Sequence, residues 1–188
     1  MKRSTTGIFT ALVMSILMTF GSAAPAYAKV TKVTKNNADW VEEQQEAAEQ
    51  AEQKAAEAAA AAAAADNSNL RQSVINYALS FVGGNYVYGG TDPNTGTDCS
   101  GFTGYVLRHA AGVSVGRSSR DQACEGRTVT ADEMKPGDLL FYGSGSYVNH
   151  VAMYIGNGQV VHASNERSGI KVSSWNYRTP IRIASFLD

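Results

Sequence analysis

Apolar and polar positions divide the chain into four stretches of different periodicity. Ile8 to Phe20 is a nearly unbroken apolar run. From Ala38 to Ala65 the chain is Ala, Glu and Gln, with polar residues on every side and no large apolar residue after Val41. Such residues form helix well, yet the missing a/d seam argues against a coiled coil. The pattern predicts a single solvated helix acting as a spacer. Asp66-Asn67-Ser68-Asn69 then reads as a turn that ends it.

From Leu70 the pattern is that of a folded domain. Leu70, Val74, Tyr77, Ala78 and Phe81 recur at helical spacing up to Gly83-Gly84. A loop rich in Gly, Asn, Pro and Asp leads to Asp98. Phe102, Val106 and Ala110 then mark one face of a second helix, stopped by Gly112. Arg117-Ser118-Ser119 opens a short third helix through about Cys124, and Pro136-Gly137 is a turn. Beyond it the period falls to two. Asp138–Tyr142, His150–Ile155, Gln159–Ser164, Ile170–Ser173 and Ile181–Phe186 read as strands. Helices followed by a run of antiparallel strands predict an α+β fold.

Composition narrows the function classes. The 188 residues carry a net charge of -1 with no basic stripe, which argues against a nucleic-acid binder. Two cysteines, three histidines and no paired metal-ligand spacing argue against a zinc site, and no metal or organic cofactor is implied. Lys2 and Arg3, the apolar run and Ala26-Tyr27-Ala28 make residues 1–28 a secretory signal peptide. The run is short of the roughly 20 residues a membrane span needs. We therefore expect cleavage after Ala28, no stable membrane insertion afterwards, and a secreted protein at the cell wall. Residues 29–37 are a polar, basic lead-in.

The candidate chemistry centres on Cys99, in Asp98-Cys99-Ser100-Gly101-Phe102. At the first turn of a helix a thiol lies near the positive end of the macrodipole, which favours the nucleophilic thiolate. The alternative is a buried, inert cysteine. His150 and His162 flank the Gly156-Asn157-Gly158 turn. A two-residue turn pairing Gly156 with Gln159 would place Met153 opposite His162 and turn the histidines to opposite faces. A three-residue loop pairing Ile155 with Gln159 places Ala152 opposite His162, with both rings on one face. We expect the second arrangement. Cys99 would then be the nucleophile, His150 its base and His162 the group that aims His150. The Cys99 N–H and an upstream tyrosine could receive an oxyanion. His109 falls late on a helix and reads as structural. Cys124 reads as a free thiol, although a Cys99–Cys124 disulfide would switch the site off.

These motifs occur in a familiar order: Asp98 to Phe102, then Arg117-Ser118-Ser119 with Gln122, Lys135 to Leu139, His150 to Gly156, and Val161 to Ser164. Together they resemble the NlpC/P60 family of cell-wall cysteine peptidases, from about Leu70 to Asp188. The resemblance implies a papain-like α+β fold, with the cysteine helix packed on an antiparallel sheet. It implies hydrolysis of peptidoglycan stem peptides, most often between D-γ-glutamate and meso-diaminopimelate or lysine. It carries over Cys99, His150 and His162 as the catalytic set and Tyr86 as the tyrosine near the oxyanion. Asp98, Ser100 and Ser118 match groove-lining positions that bind substrate. Many relatives also carry wall-binding modules, and no such module is evident in this sequence. Two other readings remain open: an N-acetylmuramoyl-L-alanine amidase or related acyl transferase, and a non-catalytic wall-binding protein.

Overall fold

The computed structural model describes residues 37–187. The signal-peptide reading, and the lead-in up to residue 36, lie outside the described residues. The chain divides into two compact units, residues 1–46 and 47–188.

Helix α1 runs Asn37–Leu79 without a break. This corrects the turn expected at residues 66–69. The residues that suggested a turn make tertiary bonds instead. The Asn67 side chain donates to the Leu187 carbonyl and accepts from Arg71 Nε at 2.8 Å. Contacts to the folded domain thus outweigh local turn preference. From Ala47 to Asp66 every residue is exposed. One turn later Arg71, Val74, Ile75 and Ala78 are buried. The helix ends at Leu79, and four residues on Gly83 takes a φ of 93°, a left-handed conformation open mainly to glycine.

Two short strands, β1 (Thr91–Asp92) and β2 (Gly96–Thr97), pair within the loop before the second helix. Helix α2 is Cys99–Ala111 and α3 is Ser119–Cys124. A six-stranded antiparallel sheet follows: β3 (Arg127–Thr128), β4 (Leu139–Ser144), β5 (Tyr147–Gly156), β6 (Gln159–Asn165), β7 (Gly169–Ser174) and β8 (Pro180–Ser185). Its order is β3-β8-β4-β5-β6-β7, so β4, β5 and β6 lie inside it. Leu139, Phe141, Val151, Met153, Val161 and Ala163 join Phe102, Val106 and Leu107 of α2 in one core. Leu140, Tyr142, Ala152, Val160 and Ile183 alternate to the other face and form a second.

The β5–β6 hairpin meets the expectation for its histidines by a different device. The turn is the two-residue Asn157-Gly158, both at positive φ, with Gly156 opposite Gln159. That turn suits the twist of the strands. Alone it would send the two rings to opposite faces. A β-bulge at Ile155 adds one residue, so Tyr154 pairs with Val160 and Met153 with Val161. Continued one step, this register sets Ala152 across from His162. The expected pairing of Ile155 with Gln159 does not form, yet both histidines share a face.

Candidate active site

Asp98 builds the start of α2. Its extended backbone makes it the N-cap, and its Oδ1 accepts from Gly101 N–H at 2.7 Å. Oδ2 accepts from Gly89 N–H at 3.1 Å. Arg117 closes on both oxygens, Nη2 to Oδ2 at 2.8 Å and Nη1 to Oδ1 at 3.1 Å. Burial would raise the Asp98 pKa, but the Arg117 guanidinium and the two N–H groups outweigh it and hold the carboxyl below its usual range. Ser100 Oγ donates to Asp98 Oδ1 and accepts from Arg117. Asp98 and Ser100, both read as substrate-binding, are therefore also the scaffold that fixes the Cys99 turn. Ser118 caps α3 in a capping box with Asp121, and it lines the cavity beside Arg117.

Gly101 is required by close packing. A Cβ there would lie 2.2 Å from the Gly90 carbonyl oxygen. Gln122, fully buried, ties α3 to α2: its amide donates to the Ser100 and Gly116 carbonyls and accepts from Thr103 Oγ1.

Cys99 sits between two cavities. One is lined by Asp98, Ser100, Arg117 and Ser118; the other, of about 430 Å³, by His150, His162 and Arg178; Tyr86 reaches both. The structure thus brings Cys99, Tyr86 and both histidines together. His150 Nε2 lies 2.7 Å from His162 Nδ1, and His162 Nε2 lies 3.0 Å from Ser173 Oγ. With Nε2 of His150 engaged, Nδ1 is the nitrogen left for the sulfur. His109 is elsewhere, its Nδ1 on the Tyr105 carbonyl and its ring stacked on Tyr105, in keeping with a structural role. Cys99 and Cys124 are both free thiols, the first buried and the second exposed.

The electrostatics correct one expectation. The helix start was expected to favour the thiolate. Burial instead pushes the Cys99 thiol up, and the Asp98 charge adds to the rise. The N–H groups of Val151, Ser100 and Cys99 only partly oppose it. Burial also drives His150 down to about 3, helped by His162 and Arg178. It drives His162 down to about 4, helped by Lys171. Both shifts favour the uncharged forms of Cys99 and His150, which line one cavity. Tyr86 is raised, first by burial and then by Cys99, and keeps its proton.

Several residues at the site did not stand out in the sequence. Ser173 belongs to β7, where His162 faces Lys171 two positions away. Only the alternation of Lys171 and Ser173 on one face hinted at a polar partner. Tyr177 and Arg178 come from the β7–β8 connection, where no periodicity points to a site. The Tyr177 ring packs 5.4 Å from His162, and burial pushes its hydroxyl up to about 12.

Known proteins share this domain. Gamma-DL-glutamyl hydrolase of Bacillus subtilis 168 is 34% identical over 117 residues, 60% of this chain and 28% of that protein. The murein DD-endopeptidase MepS/murein LD-carboxypeptidase of Escherichia coli K12 is 36% identical over 110 residues, 58% of this chain. The match spans 57% of that enzyme's length, so the chain covers only part of both relatives. The crystal structure of the NlpC/p60 domain of the peptidoglycan hydrolase SagA superposes with a TM-score of 0.57 at 36% identity. It covers 61% of this chain and 97% of that domain. A profile described as the NlpC/P60 family matches residues 83–182, which hold Cys99, both histidines and the loop bearing Tyr86. On that match, over more than half its length, the chain belongs to the NlpC/P60 family.

Proposed function

We propose that this chain is a secreted hydrolase of peptidoglycan stem peptides, cutting the bond between D-γ-glutamate and the diamino acid through an acyl-enzyme on Cys99. The observation that carries the reading is the 2.7 Å contact between His150 and His162 on the cavity that Cys99 lines. It gives a sulfur, a base and an orienting group in one place. The names of the relatives, gamma-DL-glutamyl hydrolase and murein endopeptidase, supply the substrate class. The N-terminal signal sequence supports export.

In this mechanism the Cys99 S–H proton passes to His150 Nδ1 as the sulfur attacks the scissile carbonyl carbon. The carbonyl π pair moves to oxygen. That oxyanion accepts from the Cys99 N–H and the Tyr86 hydroxyl. Collapse breaks the C–N bond, and His150 returns its proton to the leaving amine nitrogen. Water, deprotonated by His150, then attacks the thioester and frees the sulfur with its proton restored. Neither charge is stabilised at rest, so proton transfer and attack proceed together. His162 holds the His150 ring and donates its own Nε2–H to Ser173 Oγ.

Muropeptides digested with the mature chain and analysed by mass spectrometry test this. The expected products end in D-glutamate on one side and begin with a free diamino-acid amine on the other. Release of intact stem peptide from muramic acid would establish the amidase instead. No cleavage would leave only a wall-binding role, and equal cleavage by Cys99→Ala would remove Cys99 as the nucleophile.

A further inference from the structure

The two cavities beside Cys99 differ in their anions: Asp98 lines one and no carboxylate lines the other. On the Asp98 side two guanidinium groups line the cavity: Arg120, which donates to the Tyr147 hydroxyl at 2.9 Å, and Arg117, which is already neutralised. Both terminal nitrogens of Arg117 lie on the Asp98 carboxylate, and Nη2 also donates to the Gly90 carbonyl at 3.2 Å. On the histidine side the cation is Arg178, and no carboxylate lines that cavity. Arg178 is partly buried. Its Nη2 donates to Asn149 Oδ1 at 3.1 Å and to the Gly143 carbonyl at 3.5 Å, and its guanidinium lies 5.9 Å from the Tyr142 ring. No ion pair joins it to a carboxylate among the described residues. Nε and Nη1 have no protein acceptor there. A planar fork with free donors, set in a cavity without anions, fits an incoming carboxylate.

The reaction decides which part of a substrate enters this cavity. His150 must hand its proton to the leaving nitrogen, so that nitrogen lies on the histidine side of the sulfur. The residue it belongs to then reaches toward Arg178. We propose that Arg178 is a specificity-determining residue that binds a carboxylate on the leaving half of the substrate. This rests on the hydrolase reading above. Two carboxylates share the chemistry: the side-chain carboxylate of meso-diaminopimelate, which lysine lacks, and the terminal carboxylate of a trimmed stem.

The test uses the full chain and a matched set of L-Ala-γ-D-Glu-diaminopimelate peptides: free acid, side-chain amide, terminal amide and double amide. KM and kcat are measured for wild type, Arg178→Met and Arg178→Lys. Kd is measured on Cys99→Ala, with and without Arg178→Met, as a readout independent of turnover. Amidating the recognised carboxylate is expected to raise KM and Kd about 10- to 100-fold while kcat changes less. The amide that does so identifies the source. Arg178→Met should bring the free acid to the level of that amide and leave the amide unchanged, with Arg178→Lys between. Indifference of wild type to both amidations would overturn the proposal. So would an equal loss on free and amidated peptides, which is what a residue that merely holds Asn149 would give. Discrimination by Cys99→Ala without cleavage by wild type would keep the recognition and remove the hydrolase. Neither binding nor cleavage would remove both.

Discussion

His162 stands between His150 and Ser173, 2.7 Å from one and 3.0 Å from the other. For His150 to accept a proton at Nδ1, its Nε2 must carry hydrogen and donate to His162 Nδ1. His162 must then carry hydrogen on Nε2 and donate to Ser173 Oγ. Ser173 Oγ, acting as acceptor at the end of this relay, supports the tautomer that each ring needs. Ser173→Ala removes that acceptor beside a buried imidazole. A fall in kcat of about tenfold with KM nearly unchanged is expected. Ser173→Thr, which keeps the hydroxyl, should retain most of the rate. Steady-state kinetics on a defined muropeptide would show both, and an unaffected Ser173→Ala would end the relay argument.

The depressed histidines set a pH dependence. His150 is held near 3 and His162 near 4, below the ordinary value of about 6.5. The base thus stays unprotonated in mild acid, and the acid limb of kcat/KM should lie well below pH 6.5. Stability begins to fall at a higher pH than activity does. In the unfolded chain both rings take up protons as the pH falls through about 6.5, while the folded rings stay neutral until about 3 to 4. Folding stability is therefore full above about pH 6.5 and declines steadily below it. His162→Gln should flatten that decline when Tm is followed against pH. An acid limb centred on 6.5 would mean the rings are not desolvated.

Much of this architecture was legible because local chemistry and tertiary structure agree. The five long strands fall within a few residues of their period-two runs. Asp98 and Gly112 bracket α2 as cap and stop, with Gly112 at a φ of 68°. Agreement failed where a distant partner decides. Asn67 looked like a turn residue until Leu187 and Arg71 engaged it. The bulge at Ile155 has no signature in a run of apolar residues, yet it sets the histidine register. Ser173 and Arg178 acquire meaning only from which strand lies beside which. The Cys99 thiol was misjudged because a helix end is visible in sequence and burial is not.

Gly101→Ala should damage the nucleophile turn specifically. The added methyl would meet the Gly90 carbonyl at 2.2 Å and Thr97 Oγ1 at 2.8 Å. Gly90 cannot simply yield, because its carbonyl also accepts from Asp98 N–H and Arg117. Overpacking of this kind costs about 1–3 kcal/mol, read from urea unfolding. The displaced loop carries Tyr86, so kcat should fall further than the stability loss alone would suggest. Gly112→Ala offers the contrast. No atom lies within 4 Å of its Cβ, and only the left-handed backbone is strained. It should lower stability by about 1 kcal/mol and spare kcat.

The docked end of α1 depends on a buried ion pair. Arg71 Nη1 donates to Asp138 Oδ1 at 2.8 Å, with the two side chains 5% and 1% exposed. Nη1 also donates to the Pro136 carbonyl, Nη2 to Ser185 Oγ and Nε to Asn67. Asp138 in turn accepts from Lys135 N–H at 2.8 Å. One guanidinium thus joins α1, the turn before β4 and the last residue of β8. Arg71→Met strands the Asp138 carboxylate in the core and should cost about 3–5 kcal/mol in urea unfolding. Asp138→Leu leaves the guanidinium its Pro136, Ser185 and Asn67 acceptors and should cost less. The double variant leaves neither charge unpaired, so its loss should fall well short of the sum of the two. Simple additivity would mean that the two groups are not coupled.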